Sequence, residues 1–357
     1  MTSRERVRRA LARQETDRVP IDYDANADID RRVKMHYGLT AGDDEGLRQR
    51  LGVDIRHVAA PYRGPRLYAD LPERGIKVDE WGIHRRWVEH DSGGYWDYCD
   101  FPLREANADE VMAWAMPSPD DHDYSGVAAQ CRQLGEYGVH VGGGGLGCVI
   151  NTAGFFRGME QVFLDLITDD PAGLLLIDRF LDIQYEVIRR TIEAAEGGFD
   201  FMWIGEDLGS QRSAIIGTEV FRRHIRPRHQ RFLDLAAAHD LPVMLHTCGS
   251  SSWAYPDYIA MGLAAVDTLQ PEAKDMSPAY LKSTFGDRLA FRGCISTAGP
   301  VAWGTVEDVK DYCRQTLATM MPGGGYIFAP THSLQDNSPT ANVVAMYETA
   351  HRDGVFK

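Results

Sequence analysis

The sequence predicts an α/β fold, a (β/α)8 TIM barrel with an N-terminal extension. Two observations predict it. Short apolar runs alternate with amphipathic helical stretches along the chain, and the residues that end those runs are polar. The runs suited to buried parallel strands are VHVG (139–142), FMWI (201–204), PVMLH (242–246), AAVDTL (264–269), LAFRG (289–293) and YIFA (326–329). VPIDY (19–23) and VDIRHV (53–58) bring the number to eight. Strands that never follow one another directly imply a parallel sheet, and eight such units suggest closure.

The helices between them carry start and stop signals. Thr2 and Glu5 stand in capping-box spacing ahead of a short amphipathic helix that ends near Gln14. Asp170-Pro171 opens a helix with Ile177, Phe180, Leu181, Ile188 and Ile192 on one face and a stop at Gly197-Gly198. Thr305 with Asp308 opens another, and Ser338-Pro339 a last one. Residues 58–130 are rich in aromatics, Gly and Asp and read as loops and small helices decorating one end of the barrel. With no internal repeat or low-complexity linker, the 357 residues read as a single domain, 1–357.

Composition narrows the partners. The chain is 44% hydrophobic, enough for a sizeable core, and its formal charge is −14, which repels phosphate backbones and anionic lipid. Nucleic acid and membrane are therefore not expected partners. No stretch approaches the ~18–20 apolar residues of a membrane helix. The basic opening MTSRERVRRALARQ lacks the apolar region of a secretory signal. Six scattered cysteines without a CxxC fit a reducing compartment, so a cytoplasmic location is expected.

In a barrel, function sits where the strands end. Those positions hold Asp22, Glu206-Asp207, His246 and Cys248, Gln270, Cys294 and His332. His246-Thr-Cys248 is the sharpest signal. Residues i and i+2 of an extended segment share a side, so an imidazole and a thiolate can reach one ion, and that pair favours zinc over magnesium or calcium. Read alone, the two residues fit equally well as a buried histidine beside a small apolar cysteine. His332 and Cys294 compete for a third ligand position; a substrate contact and a core thiol are their plainer readings. Glu206 and Asp207 are the acid/base candidates, with only one of the two expected to face the mouth. Asp22 and Gln270 are candidates to bind substrate.

Three patterns are set aside. Gly142, Gly144 and Gly147 match GxGxxG, but Asp165, where a ribose-binding acid would stand, falls in a helical stretch, so a tight loop is expected. The arginines 222, 223, 226, 228 and 231 read as a solvated helix face broken at Pro227. His122 in DDHDYSG is out of register for a corrinoid-carrying DxHxxG, so the chain is not expected to carry a corrinoid itself.

TSRERVRRALARQETDRVPID, LPVMLHTCGS, LQPEAKDM and GGGYIFAPTHSLQDNSPTANVVAMYE together resemble the uroporphyrinogen decarboxylase superfamily, in the same order over essentially the whole chain. That resemblance implies a (β/α)8 barrel with its site at the strand C-termini. Porphyrin decarboxylases of the family carry an arginine-rich segment near the N-terminus and an aspartate after the second strand. Here those places read VPIDYDANAD and RHVAAPY, without the arginine or the aspartate. The HxC pair is instead similar to the zinc-dependent methyltransferase branch, in which a later residue after the last strand, commonly cysteine, completes the zinc site. His332 occupies that place. The resemblance thus implies Zn2+ on His246, Cys248 and His332. It also implies methyl transfer between a small molecule (a methyl ether, amine or thiol) and cobalamin carried by a separate corrinoid protein. The alternative is a metal-independent decarboxylase of a smaller acid, with His332 or Asp207 as proton donor.

Overall fold

The structure, a computed structural model, describes residues 1–90 and 93–357. Its described strands are β1 (Ile55–His57), β2 (Ile76–Val78), β3 (His84–His90), β4 (Gly93–Tyr98), β5 (Gly138–Gly142), β6 (Phe201–Gly205), β7 (Val243–Thr247), β8 (Ala265–Thr268), β9 (Ala290–Ile295) and β10 (Tyr326–Pro330). Seven of them form one curled parallel sheet in the order β1-β5-β6-β7-β8-β9-β10.

Of the eight strands expected from the sequence, the first does not form a ladder. Residues 20–22 instead make a single parallel bridge, Ile21 to Phe328. The Phe328 amide donates to Pro20 O at 2.8 Å and the Asp22 amide to Phe328 O at 2.9 Å, while the Asp54 amide donates to Ile21 O at 2.8 Å. This segment therefore touches both edges of the sheet. Pro20 has no amide hydrogen to give, which limits the ladder it can build. Residues 354–356 back it: Val19 N donates to Gly354 O, Phe356 N to Asp17 O, and Arg18 bridges Val355.

The 58–130 segment is more ordered than loops. β2, β3 and β4 form a separate antiparallel sheet, with Trp87 opposite Trp96 and Val88 opposite Tyr95. Charged residues on both faces of HRRWVEH hide the alternation that would have announced a strand. The helices follow their signals. Asp170 caps Pro171–Ala194 through the amides of Ala172 and Gly173, and Thr305 with Asp308 forms a capping box on Val306–Met320. The final helix starts later than its signal, as Thr340–Asp353.

Strand side chains alternate between two cores. Met202, Ile204, Val243, Leu245, Val266, Phe291 and Phe328 face outward into the helix-covered core. Ile55, Phe201, Met244, Ala265, Ala290 and Ile327 face inward and form a floor with Val7, Ala10 and Leu11 of the N-terminal helix Ser3–Leu11. That helix lies so close that a Cβ on Gly138 would sit 2.8 Å from Val7. Arg6 pairs with buried Asp54 at 2.7 Å and Arg4 with buried Asp200 at 2.8 Å, pinning the plug to the sheet. Among the described residues, no helix is long and apolar enough to cross a membrane.

Candidate metal centre

Two residues beyond the floor positions of β1, β6, β7, β8 and β9, toward the strand C-termini, the side chains point inward again. They are His57, Trp203, His246, Asp267 and Arg292, and with His140 of β5, the register partner of His57, they make a polar ring above an apolar floor. Neighbours in the ring touch. The His57 and His140 ring centroids lie 4.9 Å apart, His140 and Trp203 5.1 Å apart, and the Arg292 guanidinium sits 4.7 Å over Trp203. Arg292 also pairs with Asp267 and, at 2.8 Å, with Asp22.

His246 ends this chain of contacts. Its Nδ1 lies 2.8 Å from Asp267 Oδ2 and 2.8 Å from Thr268 Oγ1. Thr268 holds φ 83°, a backbone conformation that β-branched residues rarely adopt and that accompanies the turn at the end of β8. With Nδ1 occupied, Nε2 is the nitrogen left to bind an ion. Cys248 Sγ lies 3.6 Å from His246 Nε2, and ligand atoms of His246, Cys248 and His332 all lie within 4.8 Å of one another. Tetrahedral zinc with bonds of about 2.0–2.3 Å sets ligand atoms roughly 3.3–3.8 Å apart. The His246–Cys248 spacing already fits, and exposed His332 needs only a small inward movement. The donor set of two imidazoles and one thiolate suits zinc and leaves a fourth position open.

Electrostatics support a cation here. Burial works against an ionised Asp267, but Arg292 and His246 outweigh it and hold the carboxyl below its usual range. Burial also opposes a charged His246, yet the hydrogen bond and charge of Asp267 raise it overall. Burial and Asp207 push the Cys248 thiol up; a divalent ion would reverse that by favouring the thiolate.

The two acids after β6 face opposite ways. Asp207 turns to the mouth, where Oδ1 accepts from the Cys248 amide at 2.9 Å and Oδ2 from Asn151 at 2.7 Å. Burial opposes its ionised form, but His246 and these donors more than compensate, so it is held below the usual carboxylate range. Glu206 turns away and is fully buried, accepting from the amides of Val149 and Ile150 at the start of the helix Ile150–Arg157.

Gln270 accepts from the Gly249 amide at 2.8 Å and so fixes the turn after Cys248. Asp22 is buried against Arg292, and burial pushes its carboxyl up. Cys294 is fully buried in β9 and lies outside the ligand cluster found among the described residues. The loop 142–147 packs over His246: a Cβ on Gly144 would meet the imidazole at 3.0 Å. Each arginine of the 222–231 run is paired with an acid, among them Arg228 with Asp178 and Arg231 with Asp182.

The strand-end reading named His246, Cys248, His332, Asp207 and Asp22 but passed over His57, His140, Trp203, Asp267 and Arg292. Their signal was in the sequence: an acid in AAVDTL and an arginine in LAFRG stand inside otherwise apolar runs. Arg292, Arg56 and Arg48 also give the mouth more cations than the missing N-terminal arginine suggested, and the first two are neutralised by Asp22, Asp267 and Glu45.

A curled parallel sheet with a polar interior ring and metal-type ligands at its strand ends defines a class, that of TIM-like α/β enzyme folds. The sequence model for uroporphyrinogen decarboxylase (URO-D) matches residues 102–352, and the chain belongs to that family. Among solved structures it is similar to a methyltransferase from Methanosarcina mazei, at 17% identity over 98% of each chain with a TM-score of 0.61, a likeness of fold. No curated protein sequence matches it.

Proposed function

We propose that this protein is a zinc-dependent methyltransferase that moves a methyl group between a small molecule and the cobalamin of a partner corrinoid protein. The observation that carries this reading is the convergence of His246, Cys248 and His332, with His246 Nδ1 already committed to Asp267. The fold likeness to a methyltransferase supports it. The reading takes residues 20–22 as the eighth stave of a closed (β/α)8 barrel and the protein as cytoplasmic.

When bound, zinc supplies Lewis acidity toward the heteroatom that gives up or receives the methyl group. The chain's own residues do the rest. Asp267, fixed by Arg292, orients the His246 imidazole and stabilises positive charge on it. Asp207 holds the Cys248 backbone and, being ionised, accepts a proton more readily than it gives one. Glu206 acts at one remove, anchoring the helix Ile150–Arg157 whose Asn151 binds Asp207. Both acids are thus positioning residues, and Asp22 and Gln270 act through Arg292 and the Gly249 turn. Two imidazoles and one thiolate make a harder ligand set than a thiolate-rich one, which favours demethylation of an ether or amine over methylation of a thiol.

The test is elemental analysis for zinc together with methyl transfer to added corrinoid protein or free reduced cobalamin, across methyl ethers, amines and thiols. Stoichiometric zinc and transfer are expected. A protein that neither retains zinc nor transfers methyl groups, but releases CO2 from a small acid, would establish the decarboxylase instead, a reading that the family membership favours. Conversion of uroporphyrinogen to coproporphyrinogen would sink both.

A further inference from the structure

The polar ring opens on its β1–β5–β6 side into a pocket of 430 Å³, within the ~300–1,000 Å³ range of small-molecule sites. Its wall is aromatic: His57, His140, Trp203 and Tyr23. His140 is 6% exposed, and its Nδ1 is buried with no hydrogen-bond partner.

The pocket's three acids, Asp22, Asp24 and Glu45, balance its three arginines, Arg48, Arg56 and Arg292, in number, but the pairs are unevenly shared. Arg56 is held by both Glu45 oxygens, at 2.8 and 2.9 Å, and Arg292 by Asp22 and Asp267. Asp44, the neighbour of Glu45, is taken by Lys34. Arg48, half-buried on the helix Asp44–Leu51, also lines the pocket, and among the described residues its guanidinium makes no ion pair or side-chain hydrogen bond. Asp24, which makes no direct ion pair among the described residues and lies in the field of Arg292, stands at the exposed rim, where water screens it. A guanidinium that lines a cleft without a partner is placed to take a planar anion through a two-pronged hydrogen bond.

We propose that this pocket binds the carboxylate of a small organic acid, with Arg48 as its ion-pair partner and the paired imidazoles and Trp203 against its flat body. Trp203 lies one strand and two residues from His246, roughly 8 Å between backbone positions at ~4.8 Å per strand and ~3.3 Å per residue. A substrate a ring in length spans that gap. The inference rests on the methyltransferase reading only in making this acid the molecule that exchanges the methyl group.

Calorimetric titration with benzoate and with benzamide, its neutral analogue of the same shape, tests the pocket. Benzoate is expected to bind at least tenfold more tightly. In Arg48→Gln that preference should fall to near unity, with zinc content unchanged, and Arg48→Lys should restore part of it. The preference should also survive removal of zinc by a chelator, since the anchor is Arg48. Equal binding of the two probes, no binding of either, an unchanged ratio in Arg48→Gln, or loss of the preference with zinc would each overturn the assignment. If the preference follows Arg48 but no methyl transfer is found, the pocket stands and the methyltransferase reading falls.

Discussion

At the scale of single residues, His246 is defined by what stands behind it. Asp267 spends one oxygen on the imidazole and the other on Arg292, so its loss disturbs two charges at once. Asp267→Asn should lower zinc affinity about 10–100-fold, the usual effect of removing an outer partner from a ligand histidine. It should also destabilise the fold by about 3–5 kcal/mol, because Arg292 is 4% exposed and loses a buried partner. Competition with a chromogenic chelator and urea melts would read the two effects separately. The third ligand can be tested in the same way. His332→Ala should shed zinc and abolish activity with little change in stability, since the side chain is exposed. Cys294→Ala should keep zinc and lose only core packing; the opposite pattern would move the site to β9. His246 and Cys248 were legible because their spacing and a following glycine are local signals. Asp267 and Arg292 were not, because an isolated charge in an apolar run acquires meaning only when the register shows which side it faces.

At the scale of elements, the loop 142–147 is the part that presses on the site without contributing a side chain. Gly144→Ala should weaken zinc binding several-fold, since the added methyl meets the imidazole at 3.0 Å and the ring must shift. Gly143→Ala, which meets nothing within 4 Å, should be silent. Equal zinc affinity in both variants would show that the imidazole yields freely. The glycines read as a tight loop, and that they are; their contact with His246 joins segments a hundred residues apart and leaves no trace in local spacing. Helices with caps were the most legible elements, because Asp170-Pro171 and Thr305 with Asp308 satisfy orphan amides from within a few residues. The β3–β4 pairing was the least legible, since a hairpin with polar residues on both faces has no apolar period to detect.

For the whole molecule, the interior is layered. An apolar floor is sealed from below by the N-terminal helix and carries a polar ring above it, so the depth of a strand residue decides whether it serves stability or chemistry. Val7→Ala should cost about 2 kcal/mol through a cavity beneath Gly138, visible as a lower urea midpoint, while zinc affinity holds. A parallel fall in zinc affinity would mean that the floor and the ring are coupled. The sequence supported eight strands by their apolar runs, and seven of them form the sheet. The segment around Ile21 is reduced to a bridge, because a proline and a partner contributed by residues 354–356 are facts of long-range assembly.

That seam has a consequence for biosynthesis. The residues that bridge Arg18 and bond Val19 lie more than three hundred positions downstream of them. A nascent chain emerging at ~5–20 residues per second holds its first strand segment without those partners for roughly 20 s or longer. The N-terminal helix and the β1 region must wait, with Asp54 and Asp200 providing polar anchors only as each emerges. Locking of the seam is thereby an event that follows synthesis of residue 356, and chains stalled short of it should remain open to protease between residues 12 and 25.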